Sequence, residues 1–192
     1  VTQRETKLPE TRSALSRPLL AAVGLAVVLV IGFAALGLVL NTVDQTPEVP
    51  GRTGPLALVS IDAPDAASAP CTSLIEKLPA QLPSGKDVLP RRELASPAPP
   101  ATVAWGDTEH DPVVLRCGLP RPAELSATSQ LRVISDVQWL QLPGSGSSTW
   151  VVVDRGVHIA LTVPDDAGTG ALQDVSTAVR DLLPKQPVKA TP

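Results

Sequence analysis

The chain has 192 residues, room for one domain of ordinary size beside short flanking segments, and contains 21 Pro, no Tyr, no Met and one Phe. Its formal net charge of −3 joins two unlike parts: residues 1–18 carry four basic and two acidic groups, net +2, and residues 41–192 carry 12 basic and 17 acidic groups, net −5. The mildly acidic C-terminal part offers no basic stripe against phosphates, so no nucleic-acid partner is expected, and no self-similarity marks a repeat array.

Residues 19–40 read LLAAVGLAVVLVIGFAALGLVL, 22 residues without a charge or a strongly polar group. As a helix this run spans roughly 33 Å, which matches a hydrocarbon core of about 30 Å. It lacks the polar stripe of a helix in a soluble core. The run therefore predicts a transmembrane helix and the plasma membrane as a partner. Arg4, Lys7, Arg12 and Arg17 precede it and only Arg52 follows closely, so the positive-inside rule predicts a cytoplasmic tail over residues 1–18 and an extracytoplasmic remainder. A cleaved signal peptide would export the same domain and release it; signal cores run about 7–15 residues, so the length favours retention.

Residues 41–55, NTVDQTPEVPGRTGP, hold Pro47, Pro50 and Pro55 and predict an extended stalk. The exported domain is expected over 56–183. A first strand is expected at 56–61. Ser73 and Glu76 stand at capping-box spacing before a short helix that ends at Pro79. Residues 95–101, ASPAPPA, read as a loop. Further strands are expected at 113–117, 130–134 and 137–142, with residues 143–148, PGSGSS, as a flexible connection. Residues 149–154 and 157–163 are β-branched runs broken by Arg155 and Gly156, which predicts a hairpin. Leu172, Val175, Val179 and Leu182 line one face of a helix over 170–183, which Pro184 ends. Residues 184–192 read as a disordered tail. This succession predicts an α+β fold: an N-terminal transmembrane helix followed by a small, mostly antiparallel sheet domain with helical cover on one face.

Cys71 and Cys117 are the only cysteines and both fall on the exported side, where thiols tend to pair; a disulfide between them is expected. Without a CxxC or neighbouring histidines they do not form a zinc site, and no metal or other cofactor is expected.

The densest polar cluster is Asp107, Glu109, His110 and Asp111. Such a group can bind a hard cation or supply a base, but Gly106 and Pro112 place it in a turn context, and a solvated loop accounts for its composition. His158 sits in a strand whose apolar neighbours alternate away from it, pointing to solvent or an edge. No GxSxG, SxxK or HExxH string occurs, and the GTG at 168–170 lacks the Lys of a phosphate loop. Trp139 and Trp150 fall within predicted strands and are expected in the core; Trp105, at the start of the acidic loop, is the best candidate for an exposed contact.

Cys71 with its short helix, AWGD at 104–107, LRCG at 115–118 with Pro120, and Val137, Trp139 and Arg155 together form a pattern that resembles an actinobacterial family of membrane-anchored exported proteins classed as a domain of unknown function. The resemblance covers about residues 56–183 and implies location and a shared domain, with no activity attached. The functional expectation is a non-catalytic accessory or interaction protein of the actinobacterial cell envelope, tethered beside a larger membrane complex. The alternative is an envelope enzyme or a ligand- or divalent-cation-binding domain that uses the loop 107–111 with Trp105.

Overall fold

The computed structural model describes residues 54–189. The tail 1–18, the apolar run 19–40 and the stalk up to residue 53 lie outside them, and among the described residues no helix is long and apolar enough to cross a membrane.

Helix α1 (Ala69–Lys77) starts four residues before the expected capping box. Pro70 lies in its first turn, where the missing N–H costs nothing, and the Thr72 hydroxyl donates to Ser68 O at 3.2 Å. Ser73 and Glu76 are exposed mid-helix positions, not caps. The hairpin of β1 (Gln81–Ser84) and β2 (Asp87–Arg92) follows, turning at Gly85 and Lys86 with Gly85 at φ 59°. Sequence reading missed this hairpin, because Pro83 and Pro90 break the usual strand signature; the structure places both strands at one end of the sheet, where proline is tolerated. The third strand missed by that reading is β3 (Thr102–Trp105), which follows the 95–101 loop.

Next come β4 (Val113–Leu119), β5 (Leu131–Ile134), β6 (Val137–Pro143), β7 (Ser147–Val152) and β8 (His158–Pro164), all close to expectation. The β7–β8 pair is the expected hairpin, but its connection is longer than the Arg155–Gly156 break, since Val152 pairs with Ile159. The PGSGSS stretch is a tight reversal, with Gly144 N donating to Ser147 O at 2.9 Å. Helix α2 (Gly170–Leu182) closes the domain and buries Leu172, Val175 and Val179 as its periodicity predicts.

The eight strands form one sheet in the order β1-β2-β3-β4-β8-β7-β6-β5 with every neighbouring pair antiparallel. The architecture is α+β with helical cover on one face. That face carries the row Cys117, Ile159, Val152 and Trp139, read across β4, β8, β7 and β6, and both helices pack on its cluster. Trp139 is wholly buried there, and its Nε1 donates to Ser176 Oγ at 2.9 Å, which donates in turn to Leu172 O. Trp150 packs against the same cluster from a partly buried position.

The expected first strand at 56–61 does not join the sheet. Leu56 makes one isolated parallel bridge to Leu94, and the chain then crosses the second face as a strap, setting Leu56 and Leu58 against Ala104 and Val114. Both edges of β3 and of β4 are already paired, so a strand here would have no ladder to enter. Residues 184–189, expected as part of a disordered tail, are held: Gln186 N donates to Asp154 O at 2.8 Å, Lys185 Nζ meets Asp136 Oδ1 at 2.6 Å, and Val188 packs against the second face.

The expected disulfide is formed between Cys71 and Cys117, closing a separation of 46 residues. Loop closure of that length removes roughly 4 kcal/mol of unfolded-state entropy in the chain-entropy model. Next to it Gly118 sits at φ 84° within an irregularity of β4, and a Cβ there would come within 2.3 Å of Ala66 N. Asp65 N donates to Gly118 O at 3.0 Å, so the segment entering α1 lies directly on the β4 backbone. In the β7–β8 connection Asp154 and Arg155 form an ion pair at 2.8 Å with both side chains buried; Asp154 Oδ1 accepts from Gln138 N and Arg155 NH2 donates to Asp136 O.

Gly118→Ala combines a positive φ with backbone overlap and is expected to lower unfolding free energy by about 2–5 kcal/mol, read by urea denaturation under oxidising conditions; a loss below about 0.5 kcal/mol would contradict the close approach. Arg155→Met leaves Asp154 buried and uncompensated, with an expected loss of about 3–5 kcal/mol in the same assay, whereas the double change Asp154→Leu with Arg155→Met should recover much of it.

Candidate functional site

Trp105, expected as an exposed contact, is instead entirely buried on the helical face. Its Nε1 donates to Pro79 O at 3.0 Å, and the Arg91 guanidinium lies 5.6 Å from its ring centroid while donating to Ile75 O and Leu78 O. Trp105 and Arg91 thus fasten β2 and β3 to the C-terminal end of α1. The indole sits at the end of a strand whose inward positions face the core, and one polar atom with a partner suffices to bury it.

The acidic cluster follows as a loop between β3 and β4. Asp107 Oδ1 accepts from Glu109 N at 2.8 Å and from His110 N at 2.7 Å, the geometry of an Asx turn. The His110 ring closes back on the same carboxylate, with Nδ1 2.9 Å from Oδ2, and turns Nε2 toward Asp87 at 3.6 Å. Glu109 and Asp111 are exposed on the same loop. Asp107 therefore directs its oxygens at its own loop. Among the described residues no three His, Cys, Asp or Glu side chains are placed to hold a metal ion.

Electrostatics follow this geometry. The hydrogen bond from Asp107 raises the His110 pKa against a smaller opposing cost of burial, and the charges of Asp107, Asp87 and Asp166 add to it. For Asp107 burial pulls upward, but the bonds from the His110 ring and from the His110 and Glu109 amides prevail and lower its pKa. Asp87 and Asp166 come from the β1–β2 turn and from the turn before α2, so their convergence on His110 is invisible to local sequence reading. His158 differs. It lies on β8, an interior strand and not an edge, and burial lowers its pKa.

A concave site lies elsewhere, on the sheet face opposite the helices. Two cross-strand rows form its floor: Arg116, Ala160 and Val151 are partners across β4, β8 and β7, and Thr162, Thr149 and Leu142 across β8, β7 and β6. The strap at Ile61 and Asp62 bounds it on one side and residues 119–124 on the other, and the cavity volume is about 480 Å³. This falls in the size range of small-molecule sites. Thr149 and Thr162 hydroxyls bond each other at 3.1 Å.

Arg116 is the distinctive group. Its NH2 donates to Val59 O at 3.1 Å, while its Nε is shielded from solvent without a hydrogen-bond partner. Among the described residues no carboxylate forms an ion pair with it, and partial burial lowers its pKa. Asp62 and Glu124 border the same groove as exposed side chains. Sequence reading identified the hairpin that supplies half of this floor and set His158 opposite its apolar neighbours, but did not join Ala160 and Thr162 with Thr149 and Val151 into one surface. The signal was available: Thr149, Val151, Ala160 and Thr162 alternate with Trp150, Val152, Ile159 and Leu161, which belong to the helical face.

Proton NMR of the chain's two histidines checks the electrostatics. His110 should titrate above the ordinary value of about 6.5 and His158 below it. The stabilisation from His110 is then fully present below about pH 6.5 and fades as pH rises through its raised folded value. That from neutral His158 is present above about pH 6.5 and is lost as pH falls through its lowered value. Asp107→Asn should return His110 toward its ordinary value; an unchanged His110 titration in that variant would refute the assigned cause.

No curated protein and no solved structure matches the chain. A family model described as "Protein of unknown function (DUF3515)" matches residues 23–188, most of the sequence. The chain belongs to that family.

Proposed function

We propose that this protein is a membrane-anchored extracytoplasmic accessory domain of an actinobacterial cell envelope, working by binding rather than by catalysis, beside a larger membrane complex. The single observation that carries the binding role is the open groove of about 480 Å³ on the sheet face away from the helices. Its floor is apolar at Val151, Ala160 and Leu142 and polar at Arg116, Thr149 and Thr162, the mixture typical of a recognition site. The acidic loop is a weaker candidate, since Asp107 is engaged by its own amides and by His110.

Two features support the location. The only cysteines are joined in a wholly buried disulfide, a bond that persists in oxidising compartments. The family match begins at residue 23, inside the apolar run, and continues through the sheet domain, so one family covers both. The run's length and the basic groups before it favour an anchored domain with its C-terminus outside.

A reporter enzyme that matures only outside the cytoplasm, fused after Pro192, tests this placement. The fusion should be active and sediment with membranes, and mass spectrometry of the mature chain should find residues 19–40 retained. A soluble product that begins after Leu40 would overturn the anchor, and an inactive, cytoplasmic reporter would overturn export.

A further inference from the structure

The groove's chemistry narrows what it can receive. Its floor lies on β4, β8, β7 and β6, and of these strands each has a hydrogen-bonded neighbour on both sides. Their backbone N–H and C=O groups are used in the ladders, so an extended peptide laid across this face would find no strand edge to pair with. Recognition must come from side chains. Those side chains provide an apolar track, from Ala160 and Val151 to Leu142, with Arg116 at its β4 end and a second cation, Arg121, on the 119–124 rim.

Arg116 uses NH2 on Val59 O, its Nε has no partner, and no carboxylate of the described residues pairs with it. A partly buried guanidinium with open donor capacity matches a planar carboxylate, which it can grip through two parallel N–H bonds. A phosphate dianion fits less well, because Arg121, the second guanidinium of the lining, is engaged on Leu125 O and Asp62 and Glu124 stand at the rim. Three strand spacings separate β4 from β6, giving the track a length of roughly 14 Å. We propose that the groove binds a medium-chain acyl carboxylate, its carboxylate on Arg116 beside the Thr149–Thr162 hydroxyl pair and its chain along Ala160, Val151 and Leu142.

This rests on the binding role proposed above but not on the topology, and the two are tested by different readouts. The full chain in lipid nanodiscs is irradiated with a diazirine derivative of decanoic acid, and the labelled peptides are mapped by mass spectrometry. Label is expected within residues 119–124 and 142–162, competed by decanoate and not by its methyl ester. Arg116→Gln should weaken competition by decanoate about tenfold or more, as loss of a charge-assisted hydrogen bond implies. Because Arg116 also holds the strap, Ala160→Leu provides a second variant: it fills the floor, leaves the guanidinium in place, and should abolish the label in a chain whose melting temperature is retained.

Label distributed without preference for these segments, or competed equally by the ester, would overturn the proposal. So would Ala160→Leu chains labelled like wild type. Competition by anionic phospholipid as strong as by decanoate would overturn the choice of a free carboxylate in favour of a lipid headgroup. Stronger competition by an apolar peptide with a free C-terminus would overturn it in favour of a protein partner. None of these outcomes bears on whether the domain is exported or anchored.

Discussion

Four consecutive residues of β4 hold the domain together and reach into its groove. Leu115 and Cys117 point into the helical face, where Cys117 ties α1 to the sheet through the buried disulfide. Arg116, between them, points to the other face and into the groove. Gly118 then lets the backbone of residues 65 and 66 lie against the strand, closer than any Cβ would permit. This contact and the disulfide fix both the start of α1 and the exit of the strap that precedes it. The strap in turn supplies the Val59 carbonyl that positions Arg116. A change at Gly118 would therefore reach Arg116 through the strap as well as through the neighbouring groove residue Leu119.

The two faces of the sheet are finished differently, and the groove follows from that difference. On one face two helices supply continuous apolar cover, including the hydrogen-bonded burial of Trp139 and Trp105. On the other, cover comes from irregular segments: the strap over Ala104 and Val114, Leu125 over Leu140 and Val151, and Val188 at the C-terminal end. Irregular chain must keep its backbone polar groups near water or on partners, so it cannot tile a sheet as closely as a helix does. The gap left between the strap and residues 119–124 is the groove. Small Ala160 and the paired threonines keep its floor low where larger side chains would have filled it.

Much of the fold was legible because its signals are local. The β-branched runs around Arg155 and the three- and four-residue spacing of Leu172, Val175 and Val179 carry their periods in sequence, and β7, β8 and α2 appear where those periods place them. The β1–β2 hairpin was hidden by Pro83 and Pro90, and residues 56–61 imitate a strand because an apolar strap and an edge strand have similar composition. The candidate site was less legible still. The acidic loop drew attention by its density of charge, yet its carboxylate is directed inward at its own amides. The groove is assembled from cross-strand registers over five separate stretches, and register between distant strands is not written in any one of them.

The strings that carry the family resemblance can now be sorted by what their side chains do. In AWGD, Ala104 and Trp105 are buried, Gly106 N donates to Pro90 O, and Asp107 organises its loop. In LRCG, Leu115, Cys117 and Gly118 build the core, the disulfide and the close approach, while Val137, Trp139 and Arg155 are buried elsewhere in the sheet and its turns. Nearly all of these residues serve the scaffold, so a match to such strings signals a shared fold more strongly than a shared ligand. Arg116 is the exception. Its burial costs desolvation, its side chain makes one hydrogen bond to the strap, and a hydrophobic residue would cover the floor beside Ala160 with less penalty. Arg116 is thus the one residue of these strings that both holds the strap and faces the groove, and the proposed carboxylate site rests on it.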